Sequence, residues 1–577
     1  ANLFYPLIDK PSRIQGGSSS LIDNIFTNCI LQSNMLEPGM LVTDLSDHFI
    51  VFCICKDKFG VKNKQEPIYR RITSEVNICK FKSIIESTNW QTVYNDQEAQ
   101  SAFTHFHHLV IEAYNAAFPL RKIKASRAPE NKPWLTDSLK KCIKVKNKLY
   151  IKYKQMPTIG NQIAYKQYRA ALTRALRHTE KNFYASRIER NKNNLKESWK
   201  IIKELAGIKR NIKYSSEFTY ENEQITEPRT IANKFNEYFV GIGPKIASNI
   251  TNSNTCFDYL SHVTCNNKTM YISPVSTTEI RQLIDGLNNS SAGCDGIKAV
   301  ALKEVSHIIS EPLAHVINLA INQGIMPTQL KSGRVIPIHK AGSLTDFSNF
   351  RPVSVLPCLS KVFERVIYDR MYTFMTQNEI LTHNQFGFRK KFSTYMATTV
   401  LIDKITAAMD HNENAIGLFI DLQKAFDTVN HDILLAKLFK YGFRGKILSW
   451  LKDYLQSRQQ CVEYNGHRSH FLNVTCGVPQ GSILGPLLFI LFINDLPEVS
   501  NLFHTLMYAD DTTLFLSHKN VHTLENNVNN EILKIAEWLQ VNKLSLNIKK
   551  TKAVLFTKQR HNHTLNISLY GNTIDNV

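Results

Sequence analysis

The chain has 577 residues, 43% of them hydrophobic and 21% charged, proportions that exclude wholesale disorder and leave room for several domains. Its net charge of +21 at pH 7 favours a polyanionic partner, either nucleic acid or an acidic membrane surface. No apolar run reaches the roughly 18–20 residues that span a bilayer, no signal peptide opens the chain, and the 11 cysteines lack paired-ligand spacing; these features argue against a membrane protein and for inert thiols in a reducing compartment.

Residues 1 to about 55 carry short apolar runs between Ser/Gly turns, such as Gly16-Gly17-Ser18-Ser19-Ser20 before Leu21-Ile22-Asp23-Asn24-Ile25-Phe26, and predict strands and loops. From 56 to 120 the pattern turns helical, with Phe103, Phe106, Leu109, Val110 and Tyr114 on one face. Between Arg121 and Arg210 there are 25 Lys or Arg against 6 Asp or Glu, nearly the whole excess of the chain. Residues 135–206 predict two long basic helices joined at a break near Pro157 and Gly160. The stripe Tyr165, Tyr168, Leu172, Ala175 and Leu176 reads as packing rather than base stacking. Residues 211–270 read as an Asn/Ser/Thr-rich linker with one helix near Thr230–Val240. From Ile272 onward helical and strand patterns alternate, and the apolar run Ile483–Ile493, broken by Gly485 and Pro486, reads as core.

Two segments carry candidate chemistry. In Ile416-Gly417-Leu418-Phe419-Ile420-Asp421 an apolar strand runs into an acid, and the chain then turns through Lys424-Ala425-Phe426-Asp427. In Leu506-Met507-Tyr508-Ala509-Asp510-Asp511-Thr512 two acids sit between two strands, as at the tip of a β-hairpin. Carboxylates gathered at strand ends are costly without cations, and a pair of divalent ions can serve phosphoryl transfer.

The region from about Ser291 to Phe556 resembles the reverse transcriptase of non-LTR, LINE-type retrotransposons of the jockey kind. The resemblance rests on blocks in the family's order: Ala292-Gly293-Cys294-Asp295-Gly296, Arg334-Val335-Ile336-Pro337, Asn349-Phe350-Arg351-Pro352, Gln385-Phe386-Gly387-Phe388-Arg389, Gly477-Val478-Pro479-Gln480-Gly481, Tyr508-Ala509-Asp510-Asp511, and Trp538-Leu539 with Asn542-Lys543-Leu544-Ser545-Leu546-Asn547 and Lys550-Thr551-Lys552. Cys294 stands where the family commonly has proline.

This resemblance implies an α+β, right-hand polymerase of fingers and palm, with an antiparallel palm sheet. It implies Asp421, Asp510 and Asp511 as catalytic and metal-holding acids for two Mg²⁺ ions, with Mn²⁺ able to substitute. Lys340 and Arg351 would hold the triphosphate, Phe426 would be the gate against a 2′-hydroxyl, and Gln480 and Gly481 would lie against nucleotide and template. Arg389 would touch template or primer, while Gly477 and Pro479 would shape their loop. The implied partners are an RNA template, a DNA primer or target and deoxynucleotides, with no membrane. The implied setting is the nucleus at the reaction step, after assembly of a cytoplasmic ribonucleoprotein.

Asp23 and the triplet Ser46-Asp47-His48 resemble the last blocks of an apurinic-type endonuclease, in which the histidine faces the scissile phosphate and the preceding aspartate orients it. The expected domains are an endonuclease remnant at 1–55, unable to nick DNA, a basic helical connector at 56–270, and fingers and palm at 271–577 with the thumb truncated. The expected function is RNA-directed DNA polymerisation, used for target-primed reverse transcription in the intact element. The alternatives are a catalytically inactive RNA-binding fragment of the same polyprotein, and a telomerase-like or intron-encoded reverse transcriptase, against which the endonuclease-like residues count.

Overall fold

The computed structural model describes residues 4–15, 18–28, 36–44, 46–55, 68–123, 132–208, 215, 217–220, 223–248, 250, 263, 265–289, 292–558 and 565–577. Ser291, the Gly16-Gly17 pair and parts of the 211–270 stretch lie outside them. Two compact units form, Ala1–Arg70 with Arg121–Ile212, and Arg71–Leu120 with Lys213–Val577.

In the first unit, Leu36–Leu41 and Ile50–Cys55 pair as an antiparallel hairpin with Met40 opposite Val51. The basic stretch forms the helices Asp137–Gln155 and Ile159–Arg190. Each starts at a threonine, Thr136 or Thr158, whose hydroxyl accepts the backbone N–H three residues on. Pro157, between the helices, lacks the N–H that would continue the first one. Of the predicted apolar stripe, Tyr165 and Leu172 are buried, whereas Ala175 faces solvent. Tyr165 packs with Tyr150 and Phe49, and Asp44 accepts from Lys146 at 2.8 Å and from the Tyr165 hydroxyl at 2.9 Å. The basic helices therefore bury their aromatic side against the N-terminal segment, a contact that local periodicity could not announce.

The second unit is α+β. Helix α1 (Ala99–Ala117) buries Phe103, Phe106, Val110 and Tyr114, as its spacing predicts. Helix α2 (Pro228–Ser248) extends the expected Thr230–Val240 segment by a turn or more at its C-terminal end. Helix α3 (Ser306–Gln323) precedes a mixed sheet built on β1 (Ser332–His339) and β2 (Phe350–Val355), which are antiparallel with Ile338 opposite Arg351. Helices α4 (Cys358–Gln377) and α5 (Thr394–Asp410) lead to β3 (Asn414–Ile420). Strand β4 (Arg458–Tyr464) then returns to the first sheet, parallel to β1.

Helix α6 (Leu484–Phe492) is buried nearly all round, with Leu484, Gly485 and Leu487–Phe492 inside, so the apolar run is core. Its N-terminus is met by the fully buried Glu364 of α4, which accepts the Ile483 N–H at 2.5 Å. Strands β5 (His504–Tyr508) and β6 (Asp511–His518) form a hairpin, followed by α7 (Val521–Val541) and β7 (Lys552–Phe556). The second sheet runs β5-β6-β3-β7, antiparallel throughout these four, with the short strand Asp575–Asn576 parallel at the β7 edge. One continuous core, including Phe363, Trp450, Tyr454 and Trp538, joins this sheet to its helices. Among the described residues no helix is long and apolar enough to cross a membrane.

Candidate active site

The register of the second sheet brings the acids together. Ile420 pairs with Thr512, so Asp421 leaves β3 beside the turn that carries Asp510 and Asp511. A segment far along the chain fixes the exit from β3: Leu422 bridges Leu546, and the Asn547 N–H donates to the Asp421 carbonyl at 2.8 Å. The Asn547 side chain donates to Asp421 Oδ2 at 2.9 Å, and Lys550 Nζ lies 3.9 Å from the same oxygen.

Asp421 and Asp510 line a cleft of about 1010 Å³ with Lys340, Arg351, Lys424, Phe426, Asp427, Gln480, Asn547 and Lys550. Asp511 is exposed at the start of β6. The desolvation that its neighbours impose even at this exposed position, together with the charges of Asp510 and Asp421, pushes its carboxyl above the usual range, against the pull of Lys340 and Arg351. Lys340 and Arg351, from the β1–β2 hairpin, thus act on the same electrostatic field as the acids.

Phe426 occupies a 3-10 turn over Ala425–Asp427, stacked on Phe489 at 4.5 Å and met edge-on by Phe388 at 6.0 Å. The turn is entered through Lys424 at φ 49°, whose Nζ donates to the Phe350 carbonyl at 3.3 Å. Burial pulls the Lys424 ammonium below its ordinary value, and Lys340, Lys550 and Arg351 act in the same direction against Asp427. Gln480 Nε2 donates to Asp427 Oδ1 at 2.9 Å. Gly477, at φ 82°, lies against the Asp427 backbone, where a Cβ would meet its carbonyl oxygen at 2.8 Å. Gly481 is not a lining residue of the cleft; its close neighbour is the Ser354 carbonyl, and Ser354 N–H donates to the Gln480 carbonyl at 2.7 Å.

Arg389, expected against template or primer, donates to the carbonyls of Thr382 at 2.8 Å and Gln385 at 3.1 Å, with its guanidinium over the Phe392 ring. Sequence reasoning gave no role to Lys424, Asp427, Asn547 or Lys550, although all four fall inside quoted motifs. It also missed Tyr238, Ile242 and Ile246, which bring α2 to the cleft wall; nothing in that helix's own pattern signals this.

The other predicted constellation lies in the first unit. His48 Nδ1 meets Asp23 Oδ2 at 2.6 Å, and Asp23 N–H donates to the Ser12 hydroxyl at 2.9 Å. Hydrogen bonds from His48 and Ser12 hold the Asp23 carboxyl below its usual value. Asp47 is turned away toward Arg13 at 2.8 Å, while Ser46 accepts from the His48 N–H at 3.3 Å. The carboxylate beside the imidazole is Asp23, the aspartate that precedes His48 by 25 positions, while Asp47 faces the Arg13 guanidinium across the Arg13–His48 bridge.

Comparison with known proteins bears on the second unit. Residues 338–571 match the family described as reverse transcriptase (RNA-dependent DNA polymerase). The chain is 32% identical over 297 residues to the probable RNA-directed DNA polymerase from transposon X-element of Drosophila melanogaster, covering 50% of this chain and 33% of that protein. It is 34% identical over 296 residues to that from transposon BS (50% and 32%), and 31% identical over 314 residues to the RNA-directed DNA polymerase from mobile element jockey (52% and 34%), both of the same fly. The chain thus spans about a third of the length of these curated relatives. On these matches, residues 338–571 are similar to the reverse transcriptase family, and the chain is similar to the RNA-directed DNA polymerases of the transposons X-element and BS and the mobile element jockey.

Proposed function

We propose that this chain is the polymerase part of a non-LTR retrotransposon polyprotein, extending a DNA 3′-hydroxyl with deoxynucleotides on an RNA template. In this reading the β1–β2 sheet is the fingers and the β5-β6-β3-β7 sheet is the palm. The observation that carries it is a cleft with Asp421 and Asp510 on one wall and Lys340, Arg351, Lys424 and Lys550 around it. That combination suits a triphosphate and divalent ions: Arg offers a planar fork to phosphate and Lys a point charge.

The donor set fits Mg²⁺, which takes one or two carboxylates and completes its shell with phosphate oxygens and water. Among the described residues no group of three or more His, Cys, Asp or Glu side chains is placed to hold a metal ion together, so the reading rests on Asp421 and Asp510 as a pair, with the remaining ligands supplied by phosphate and water. Asp421 and Asp510 would hold the ions, with Asp511 beside them, and bound metal would supply charge stabilisation for in-line displacement at phosphorus. The chain's own residues do the positioning. Asn547 keeps Asp421 turned into the cleft, the cations neutralise the triphosphate, and Phe426 on its Phe489 platform lies under the sugar. Gln480, held by Asp427, presents its loop to the nucleotide.

We further assign the basic helices of the first unit to nucleic-acid contact, and the site of action to nuclear DNA. The deciding experiment is primer extension on an RNA template with Mg²⁺, comparing the chain with Asp510→Ala. Extension that disappears in the variant supports the polymerase and its metal site together. Extension that survives Asp510→Ala would sink it, and salt-sensitive RNA binding without extension by either protein would favour the inactive RNA-binding fragment.

A further inference from the structure

The turn that carries the acids is a two-residue hairpin connection, Ala509-Asp510, closed by the Tyr508–Asp511 pair. Its first central residue, Ala509, has φ 58°, a left-handed conformation that glycine adopts freely and alanine does not. A strained residue of this kind persists only where its surroundings over-determine it. Here the surroundings come from Asn384–Gly387, more than a hundred residues earlier in the chain.

Three contacts hold the turn. Gln385 pairs with Met507 as an isolated parallel bridge on the open edge of β5: Phe386 N–H donates to the Met507 carbonyl, and Met507 N–H to the Asn384 carbonyl, each at 2.8 Å. Gln385 Oε1 accepts two backbone N–H groups, from Gly387 at 2.7 Å and from Ala509 at 3.0 Å. Gly387 lies so close that a Cβ on it would overlap the Ala509 backbone nitrogen and stand 2.9 Å from its Cα. Gln385 is fully buried, and its Nε2 has no hydrogen-bond partner among the described residues. A side chain there for packing alone would be apolar, since a buried amide with an unmet donor is unfavourable. Its acceptor oxygen is what this environment uses.

We propose that Gln385 is a positioning residue for the metal-binding carboxylates: with Gly387 as its close backing, it pins the Ala509 amide and so aims Asp510 and Asp511. This rests on the polymerase reading given above. It is a role at one remove, since Gln385 touches neither nucleotide nor ion. Groups that orient metal ligands in this way typically change metal affinity by roughly 10–100-fold when altered.

The test uses the full chain and two variants that cut the brace from opposite sides. Gln385→Met keeps the length and removes the acceptor; Gly387→Ala forces the two backbones apart. Three readouts are taken: Mn²⁺ binding by calorimetry, hydrogen exchange over residues 507–511, and affinity for an RNA–DNA template–primer. Both variants are expected to bind Mn²⁺ roughly 10–100-fold more weakly and to exchange faster at Ala509, with template–primer affinity unchanged. Trp450→Phe, a destabilising core change in another helix, serves as the folding control and is expected to keep wild-type Mn²⁺ affinity. Variants that match wild type in both exchange and Mn²⁺ affinity overturn the proposal, as does an equal loss in Trp450→Phe. If the wild-type chain itself binds no Mn²⁺ and extends no primer, the polymerase reading falls and this role falls with it.

Discussion

Asp427 is a carboxylate of the cleft whose protonation is set by burial, which pushes it up to about 6 against the amide of Gln480 and the charge of Lys424. A raised carboxyl stabilises the fold while protonated, and that contribution is lost as pH climbs through about 6. Asp427→Asn removes the ionisation. Relative to wild type, the variant is expected to gain about 1–2 kcal/mol between pH 4 and pH 7, read from urea unfolding at both values. An identical pH dependence in the two proteins would show that Asp427 ionises without penalty. Phe426 makes a second prediction at this scale, because its ring is held between Phe489 and the edge of Phe388. Phe426→Val is expected to raise ribonucleotide use relative to deoxynucleotide by about tenfold or more in primer extension, and Phe388→Ala to move it the same way by less. Unchanged discrimination in Phe426→Val would reduce that ring to core packing.

At the scale of elements, the second sheet depends on a buried ion pair behind it. Lys437, fully buried in the helix His431–Lys440, donates to Asp495 at 2.6 Å and to the Phe492 carbonyl at the end of α6 at 2.8 Å. The Trp538 indole of α7 donates to the other Asp495 oxygen at 3.1 Å. Removing the cation alone strands a buried charge. Lys437→Met is therefore expected to cost about 3–5 kcal/mol in thermal unfolding, and Lys437→Met with Asp495→Leu distinctly less. Equal losses would mean that packing, not charge, holds these helices. The acid-bearing elements were legible in the sequence because each is local: an apolar strand ending at Asp421, and two strands flanking Asp510 and Asp511. What the sequence could not announce depends on pairing across long separations. Gln385 reaches Ala509 over 124 positions, Asn547 reaches Asp421 over 126, and the aromatic face of the basic helices finds its cover near Phe49. The pairing of His48 with Asp23, 25 positions earlier, is likewise a matter of strand register rather than adjacency.

For the whole molecule, the charge lies in two places. The cations of the cleft belong to the second unit, while the large local excess of Lys and Arg lies on the helices of the first. If those helices hold nucleic acid, backbone affinity and nucleotide affinity are separable quantities. Lys141, Lys144, Lys148 and Lys152 recur at helical spacing along Asp137–Gln155, and all four are exposed. Each phosphate neutralised by such a side chain adds about 0.7 to the slope of log affinity against log salt for a single strand. Changing the four to Gln should thus lower the magnitude of that slope by up to about 3, measured by RNA binding between 50 and 200 mM salt. The apparent KM for deoxynucleotides should stay where it was, because the cations of the cleft, proposed to meet the triphosphate, are untouched. A slope that does not move would clear this helix face of RNA. A KM that rises with it would mean that the two sets of charges act as one surface, and the division of tasks would have to be given up.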